Sequence, residues 1–152
     1  MTVAAFDPLE ILKTLDRHGV KFVVIGGIAG RLWGSTTVTN DLDVCYARDA
    51  ANLKALAAAL GELKARPSVT LKAGDHFTFT TTAGNFDIRG TPAGSNGYDG
   101  LARTATRMDV GGVTAAVAAI EDLILMKRAA GRPKDLIEVE VLAAVREELG
   151  NE

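Results

Sequence analysis

Residues 23–46 read VVIGGIAGRLWGSTTVTNDLDVCY, and they carry the strongest indications of the chain's fold class. The apolar run that ends at Ile25, just before Gly26, predicts a strand covered on both faces. Residues 28–33 are predicted to turn back as a short helix, and residues 41–46 to form a second strand that opens with two aspartates. The stretch therefore predicts a strand, a helix and a second strand within one α/β sheet.

Working outward, the flanking sequence supplies further helices and strands. Asp7 and Pro8 predict a capped helix that ends near residue 18, and Asp49 predicts a long helix that ends near Arg66 and Pro67. The remaining predicted elements are a hairpin over residues 69–89 turning at 83–85, a loop over 90–100, a hairpin around 110–117, and helices over 120–130 and 134–149. This order predicts an α/β (α+β) fold with a mixed β-sheet flanked by helices, in a single domain over residues 1–152.

Composition narrows the classes of function. The chain has 152 residues, 47% of them hydrophobic and 24% charged, which excludes global disorder. Its net charge of -2 provides no overall positive field for a long nucleic acid, so contacts with nucleic acid would be local. One cysteine and two histidines make neither a disulfide framework nor a Cys/His zinc site. The sequence has no signal-peptide pattern and no span of roughly 18 apolar residues, so we expect a cytoplasmic protein that does not contact membranes.

Three aspartates are the residues with the clearest chemistry. Asp41 and Asp43 stand two apart on a predicted strand, so both carboxylates point to one face. Asp87 has the same strand setting and supplies a third oxygen ligand if its strand lies beside the second, with Arg89 on the same face. Two Mg²⁺ ions are natural partners for such closely spaced like charges. The plainer interpretation is that Asp41 caps a turn and Asp43 pairs with a surface lysine.

The Gly26-Gly27 turn predicts an anion site. Glycines at a strand end let a ligand approach the backbone closely, and the following helix presents free N–H groups to a phosphate. A dinucleotide-binding turn is the rival interpretation, but Ile25 stands where that motif requires its first glycine. Metal ligands and a phosphate cradle would then share one cleft.

Three separated blocks carry a family resemblance. They are Gly26-Gly27-Ile28-Ala29 with Gly34, Thr39-Asn40-Asp41-Leu42-Asp43, and Glu121-Asp122-Leu123-Ile124 continuing through Met126-Lys127-Arg128 to Arg132-Pro133-Lys134-Asp135-Leu136. In this order they resemble the DNA polymerase β-like nucleotidyltransferase superfamily, and more narrowly the small bacterial AbiEii/MenT-type nucleotidyltransferases. The resemblance spans about residues 20 to 145.

The resemblance implies transfer of a nucleoside monophosphate from a nucleoside triphosphate to an acceptor hydroxyl, with magnesium. Asp41, Asp43 and Asp87 would be the catalytic carboxylates and hold the metals, while Gly26 and Gly27 would receive the triphosphate. Lys127 is expected to act as a catalytic phosphate contact, since that block of the family carries a lysine there. The remaining expected nucleotide contacts are Arg89, Arg132 and Lys134, with Asp135 as a secondary candidate.

The acceptor is left open between tRNA, a protein and small hydroxylated molecules such as aminoglycosides. The family association also suggests a toxin of a toxin–antitoxin system with an antitoxin partner. Two departures favour the alternative of a weak or inactive binding or regulatory module. Thr37 stands where relatives often carry an arginine, and Gly27 replaces a serine.

Four other residues have more modest expectations. Trp33 is expected to pack and Cys45 to lie in the core, whereas Tyr98 could stack on a base. His76 is expected to be a loop or strand residue rather than a general base.

Overall fold

The computed structural model describes residues 5–67 and 75–150. The elements of these ranges, in chain order, are α1 (Pro8–Arg17), β1 (Phe22–Ile25), α2 (Gly26–Trp33), β2 (Asp41–Tyr46), α3 (Ala50–Glu62), β3 (Arg66–Pro67), β4 (His76–Thr81), β5 (Gly84–Arg89), α4 (Tyr98–Thr104), β6 (Thr106–Val110), β7 (Val113–Val117), α5 (Ile120–Ala130) and α6 (Pro133–Gly150). The start of the predicted 69–89 hairpin, residues 69–74, lies outside the described residues.

The seven strands of the described ranges form one mixed sheet in the order β3-β4-β5-β2-β1-β7-β6. β1 runs antiparallel to β2 and parallel to β7, while β2 runs parallel to β5. This arrangement confirms the predicted α/β fold with a mixed sheet and flanking helices. The β2–β5 pairing is also the condition under which Asp87 joins the other two aspartates.

Part of the core lies against the face of the sheet opposite the aspartates. Leu42 and Val44 alternate with Asp41 and Asp43 along β2 and are fully buried, as the period of two requires. The same cluster includes apolar residues of α1 and of the neighbouring strands, among them Ile11, Leu12, Leu15, Val24, Phe86 and Ile88. Burial of one strand face thus fixes the direction of the carboxylates on the other.

Several element boundaries differ from the sequence prediction. The hairpin predicted around 110–117 consists of β6 and β7 and begins at Thr106, and the last helix extends one residue further at each end than predicted. α2 begins at Gly26 rather than residue 28. α3 ends at Glu62, short of Arg66 and Pro67, because Lys64 adopts a left-handed conformation with φ of 52°. The predicted 90–100 loop was wrong at its end, since Tyr98 begins α4 after Gly97, whose φ of 81° makes the turn. A seven-residue helix in a glycine-rich context leaves little periodic signal.

The side chain of Asn52 ties α3 to the two central strands. Its Oδ1 accepts a hydrogen bond from Lys21 N at 2.6 Å, and its Nδ2 donates to Lys21 O at 3.1 Å and to Ala47 O at 2.7 Å. Asn52 is only 3% exposed. The amide therefore satisfies buried backbone groups at the start of β1 and just after the end of β2.

We expect Asn52→Leu to lower the free energy of unfolding by about 2–4 kcal/mol, because the exchange leaves Lys21 N and Ala47 O without the hydrogen bonds of a buried amide, whereas Lys21 O keeps its bond from Ala47 N. Urea denaturation followed by circular dichroism measures the change. Asn40→Leu, at an exposed asparagine, is the control and should stay near the wild type. Equal stabilities for the two variants would contradict the bridging role.

Candidate active site

The three predicted carboxylates meet on one face of the sheet. In the parallel register of β2 and β5, Asp43 lies opposite Asp87, and Asp41 stands two residues earlier on β2. One oxygen from each of the three side chains lies within 4.8 Å of the others. The structure therefore brings together the residues that the Asp-x-Asp pattern and the later strand predicted.

The electrostatics of this cluster are unfavourable to three negative charges. Burial, followed by the charges of Asp41 and Asp87, raises the pKa of Asp43 to about 8. Burial acts in the same direction on Asp87, but hydrogen bonding from Thr78 and His76 outweighs it and holds the pKa of Asp87 below its ordinary value. The cluster thus holds a proton at neutral pH when no cation neutralises it.

The donor set suits a hard divalent cation. Carboxylate oxygens are the ligands Mg²⁺ prefers. Within the described residues, Asp43 Oδ1 and Asp87 Oδ1 are buried and have no hydrogen-bond partner. Buried polar atoms are rarely left unpaired, so two such oxygens on neighbouring carboxylates fit a cation ligand role.

The glycine turn lies against these carboxylates. Gly26 has a φ of 69°, and a Cβ at this position would collide with the Asp43 carboxylate. At Gly27 a Cβ would lie 2.7 Å from Thr39 Cβ and 2.8 Å from Thr39 Oγ1. The Thr39 hydroxyl donates to Asp41 Oδ1 at 3.2 Å. Thr39 thus fills the space a serine at position 27 would need, which explains the absence of a hydroxyl on the turn itself.

Two cationic side chains lie across the cleft from the carboxylates: Lys127 on α5 and Arg132 just before α6. Asp135, predicted as a helix-start residue, is 1% exposed and accepts two hydrogen bonds from the Arg132 guanidinium, at 2.6 and 3.1 Å. Lys127 Nζ lies 3.6 Å from Asp135 Oδ1. Burial would raise the pKa of Asp135, but its bonds to Arg132 and the charge of Lys127 lower it. The ionised Asp135 therefore holds Lys127 and Arg132 side by side.

The predicted site residues line one cavity of about 250 Å³ between the sheet and the two C-terminal helices. Its walls include Gly27, Asp41, Asp43, Asp87, Arg89, Lys127, Arg132 and Lys134. Gly26 lines the adjoining hollow with Asp43, Arg89 and Lys127. Arg89 lies 3.6 Å from Asp87 Oδ2, so it partly offsets the negative charge. Residues separated by a hundred positions along the chain are thus gathered around the carboxylates.

The loop between α2 and β2 is held by a residue that sequence reasoning missed. Glu138, 5% exposed on α6, accepts hydrogen bonds from Ser35 Oγ at 2.9 Å and from Thr37 Oγ1. Thr37 occupies the position where an arginine is expected. Its hydroxyl therefore stabilises the loop through Glu138, and this position contributes no positive charge to the cavity. Arg31 approaches the same loop and donates to Thr37 O at 3.1 Å.

His76 was also underrated. Its Nε2 lies 3.3 Å from Asp87 Oδ2, because β4 runs beside β5. Alternation of His76 with Thr78 and Thr80 along β4 is the pattern that would have indicated this face. Trp33 and Cys45 are packed as predicted: Trp33 Nε1 donates to Ala118 O at 2.8 Å, and Cys45 is fully buried.

The fold is shared with solved nucleotidyltransferase structures. The lincosamide antibiotic adenylyltransferase LnuA, lincomycin-bound, aligns over 91% of this chain and 95% of its own with a TM-score of 0.67 and 14% identity. A candidate nucleotidyltransferase from Thermotoga maritima, TM1012, aligns over 95% and 91% with a TM-score of 0.59 and 15% identity. ANT(2")-Ia in complex with adenylyl-2"-tobramycin aligns over 93% and 96% with a TM-score of 0.54 and 18% identity.

The chain therefore has the nucleotidyltransferase fold. No protein-family model and no curated protein matches the sequence. None of the helices in the described ranges has both the length and the apolarity needed to cross a bilayer.

Asp43→Asn should change how stability depends on pH when metal is removed. The pKa of Asp43 is about 8 in the folded protein against 3.8 for the free group, so only the unfolded chain loses this proton between those values. Stability of the wild type should therefore fall as pH rises from about 4 to about 8. Asp43→Asn removes this loss and should raise the free energy of unfolding at pH 8 by about 2 kcal/mol or more, since one pKa unit corresponds to about 1.4 kcal/mol.

Denaturation in EDTA at several pH values tests this expectation. Asp16→Asn, at an exposed carboxylate of α1, should keep the pH dependence of the wild type. Parallel pH profiles for Asp43→Asn and the wild type would contradict the raised pKa assigned to Asp43.

Gly26→Ala should destabilise the chain more than Gly19→Ala does. The two glycines have nearly the same φ, 69° and 68°, but a Cβ at Gly19 meets nothing within 4 Å. Both substitutions strain the backbone by about 1–2 kcal/mol, and Gly26→Ala should lose about 1–3 kcal/mol more through overpacking against Asp43. Chemical denaturation measures the difference between them, and a difference of zero would show that Asp43 moves aside freely.

Proposed function

We propose that this protein transfers a nucleoside monophosphate from a nucleoside triphosphate to an acceptor hydroxyl. The observation that carries the proposal is the convergence of Asp41, Asp43 and Asp87 with the Lys127 and Arg132 cations in one cavity. The nucleotidyltransferase fold supports the proposal, and the cavity lies at the end of β1, where the Gly26-Gly27 turn begins α2.

The proposed cofactor is Mg²⁺, as two ions, held by Asp41, Asp43 and Asp87. When bound, Mg²⁺ would neutralise triphosphate charge and lower the pKa of the acceptor hydroxyl. The unpartnered Asp43 Oδ1 and Asp87 Oδ1 are the oxygens best suited to hold it.

The transfer balances as a single displacement at the α-phosphorus. The acceptor oxygen forms a bond to the α-phosphorus, the bond from that phosphorus to the bridging oxygen of the β-phosphate breaks, and pyrophosphate leaves. The hydroxyl proton passes to the Asp87 carboxylate and then to solvent. Asp87 suits this role because it lies opposite Asp43 in the strand register and its Oδ2 is the oxygen that is not assigned to the cation.

The remaining residues bind the triphosphate. The backbone N–H groups of the Gly26-Gly27 turn, at the start of α2, would bind a phosphate, since glycine has no side chain to obstruct it. Lys127 and Arg132, paired by Asp135, would stabilise the charge that develops on the leaving pyrophosphate. Arg89 and Lys134 line the same cavity and complete its positive side.

The finer assignment rests on motifs and remains a prediction. The AbiEii/MenT-type blocks predict a toxin with an antitoxin partner and a tRNA or protein acceptor. Two of the proteins that share the fold are solved with an antibiotic or its adenylylated product. Small-molecule acceptors therefore belong in the same test as RNA and protein.

A binding or regulatory module is the second candidate, favoured by one observation. Thr37 bonds to Glu138 in the place of an expected arginine, so that part of the loop offers no positive charge to phosphate. Nucleotide binding without transfer would be the signature of such a module.

Transfer is tested by incubating the protein with Mg²⁺, each α-labelled nucleoside triphosphate in turn, and total tRNA, a cell extract, lincomycin or tobramycin. Asp41→Asn and Asp43→Asn should reduce labelling at least about 100-fold, and Lys127→Ala about 10- to 100-fold, because each removes charge stabilisation. Asp16→Asn and Lys13→Ala, at exposed positions of α1, are the matched controls and should label as the wild type does.

Calorimetric titration with Mg²⁺ and the triphosphate completes the experiment. Full labelling by Asp43→Asn would refute the assigned carboxylate role. Binding without labelling would favour the regulatory module, and absence of binding would refute the enzyme.

A further inference from the structure

A second, polar groove adjoins the carboxylates on the side of the β4–β5 hairpin. In the strand register, Thr78 lies opposite Asp87, Thr80 lies opposite Asn85, and Asn85 lies opposite Asp41. Directly opposed residues point to the same face of a sheet, so these side chains continue the face that carries the aspartates. The groove they line has a volume of about 640 Å³.

The groove adjoins the 250 Å³ cavity described above, which we call the phosphate cavity. Asp41, Asp87 and Lys134 line both. Gly27, Lys127 and Arg132 line the phosphate cavity but not the groove. A triphosphate bound by the glycine turn and these cations would therefore leave the hairpin side open to the second substrate.

Half of the residues that line the groove carry uncharged hydrogen-bonding groups. Asn40, Thr80 and Asn85 are exposed, and none of them forms a side-chain hydrogen bond with another residue of the described ranges. Amide and hydroxyl groups both donate and accept, so they match the hydroxyl groups of a ligand in either direction. Thr78, nearer the reaction centre, contributes another hydroxyl.

We propose that this groove is the acceptor subsite and that it takes a small, hydroxyl-rich molecule that is neutral or cationic. This inference rests on the proposed nucleotidyl transfer and specifies its acceptor. An acceptor hydroxyl seated among Thr78, Thr80 and Asn85 lies beside Asp87, the proposed proton acceptor.

The charges on this face disfavour a polynucleotide. Binding of RNA depends on several lysine or arginine contacts to phosphates. In the described part of the chain, Lys134 is the cation that lines the groove, and Arg66 lies opposite Thr80 in the register. These two basic residues are fewer than the several phosphate contacts that a polynucleotide needs, whereas a small polyol can bind through the uncharged hydroxyl and amide groups of the groove.

The test measures steady-state transfer from an α-labelled triphosphate with Mg²⁺ to tobramycin, to lincomycin, to a cell filtrate below 3 kDa and to total tRNA. The variants are Thr80→Val and Asn85→Ala, both at exposed positions whose side chains form no hydrogen bond with another described residue. Loss of one hydrogen bond should raise KM for the acceptor about 3- to 10-fold, with kcat and the KM for the triphosphate unchanged. Thr114→Val on β7 and Asn96→Ala, also exposed, are the matched controls.

Label in a small polyhydroxylated molecule, with KM raised in both groove variants and not in the controls, supports the inference. Label in tRNA overturns the inference while preserving the proposed function. Label in a polyol with KM unchanged in the groove variants does the same. Bound triphosphate with no label in any small-molecule sample overturns the inference, and if tRNA and cell extract also stay unlabelled it favours the regulatory module over the proposed transfer. A wild type that binds no triphosphate overturns the proposed function, and the inference falls with it.

Discussion

The parallel pairing of β2 with β5 is the constraint on which the site depends. It places Asp43 directly opposite Asp87, with Asp41 two residues away on the same face. Three carboxylates in a partly buried place repel one another, and nothing in the apolar core beneath them relieves that repulsion. The surrounding chain accommodates it with a glycine that leaves room for Asp43, a protonated carboxyl, and the nearby side chains of Arg89 and His76.

The C-terminal helices contribute further positive charge to the cavity. The sheet contributes negative charge and a glycine turn, whereas α5 and α6 contribute Lys127 and Arg132, held together by the buried Asp135. Glu138, one turn further along α6, fixes the loop that leads into β2. The same helix therefore positions the cations and the approach to the carboxylates, so its docking on the sheet couples the two halves of the cavity.

The sequence predicted the central part of this arrangement because its signals are local. The apolar run before Gly26, the alternation around Asp41 and Asp43, and the cap at Asp49 each act within a few residues. The pairing of His76 with Asp87 depends on the register of β4 and β5, and that of Glu138 with Thr37 joins α6 to a distant loop, so neither can be found from spacing alone. The early end of α3 and the start of α4 depend on single backbone conformations at Lys64 and Gly97, which composition does not determine.

Cys45 lies two residues beyond Asp43 on β2, inside the core. It is fully buried, its thiol donates to Gly90 O at 3.4 Å, and burial raises its pKa to about 12. The thiolate is the reactive form, so the folded chain should resist alkylation at neutral pH. As the sole cysteine of the sequence, it would react when the central strands separate. The rate of alkylation of Cys45 would therefore report how often the central strands beneath the site separate.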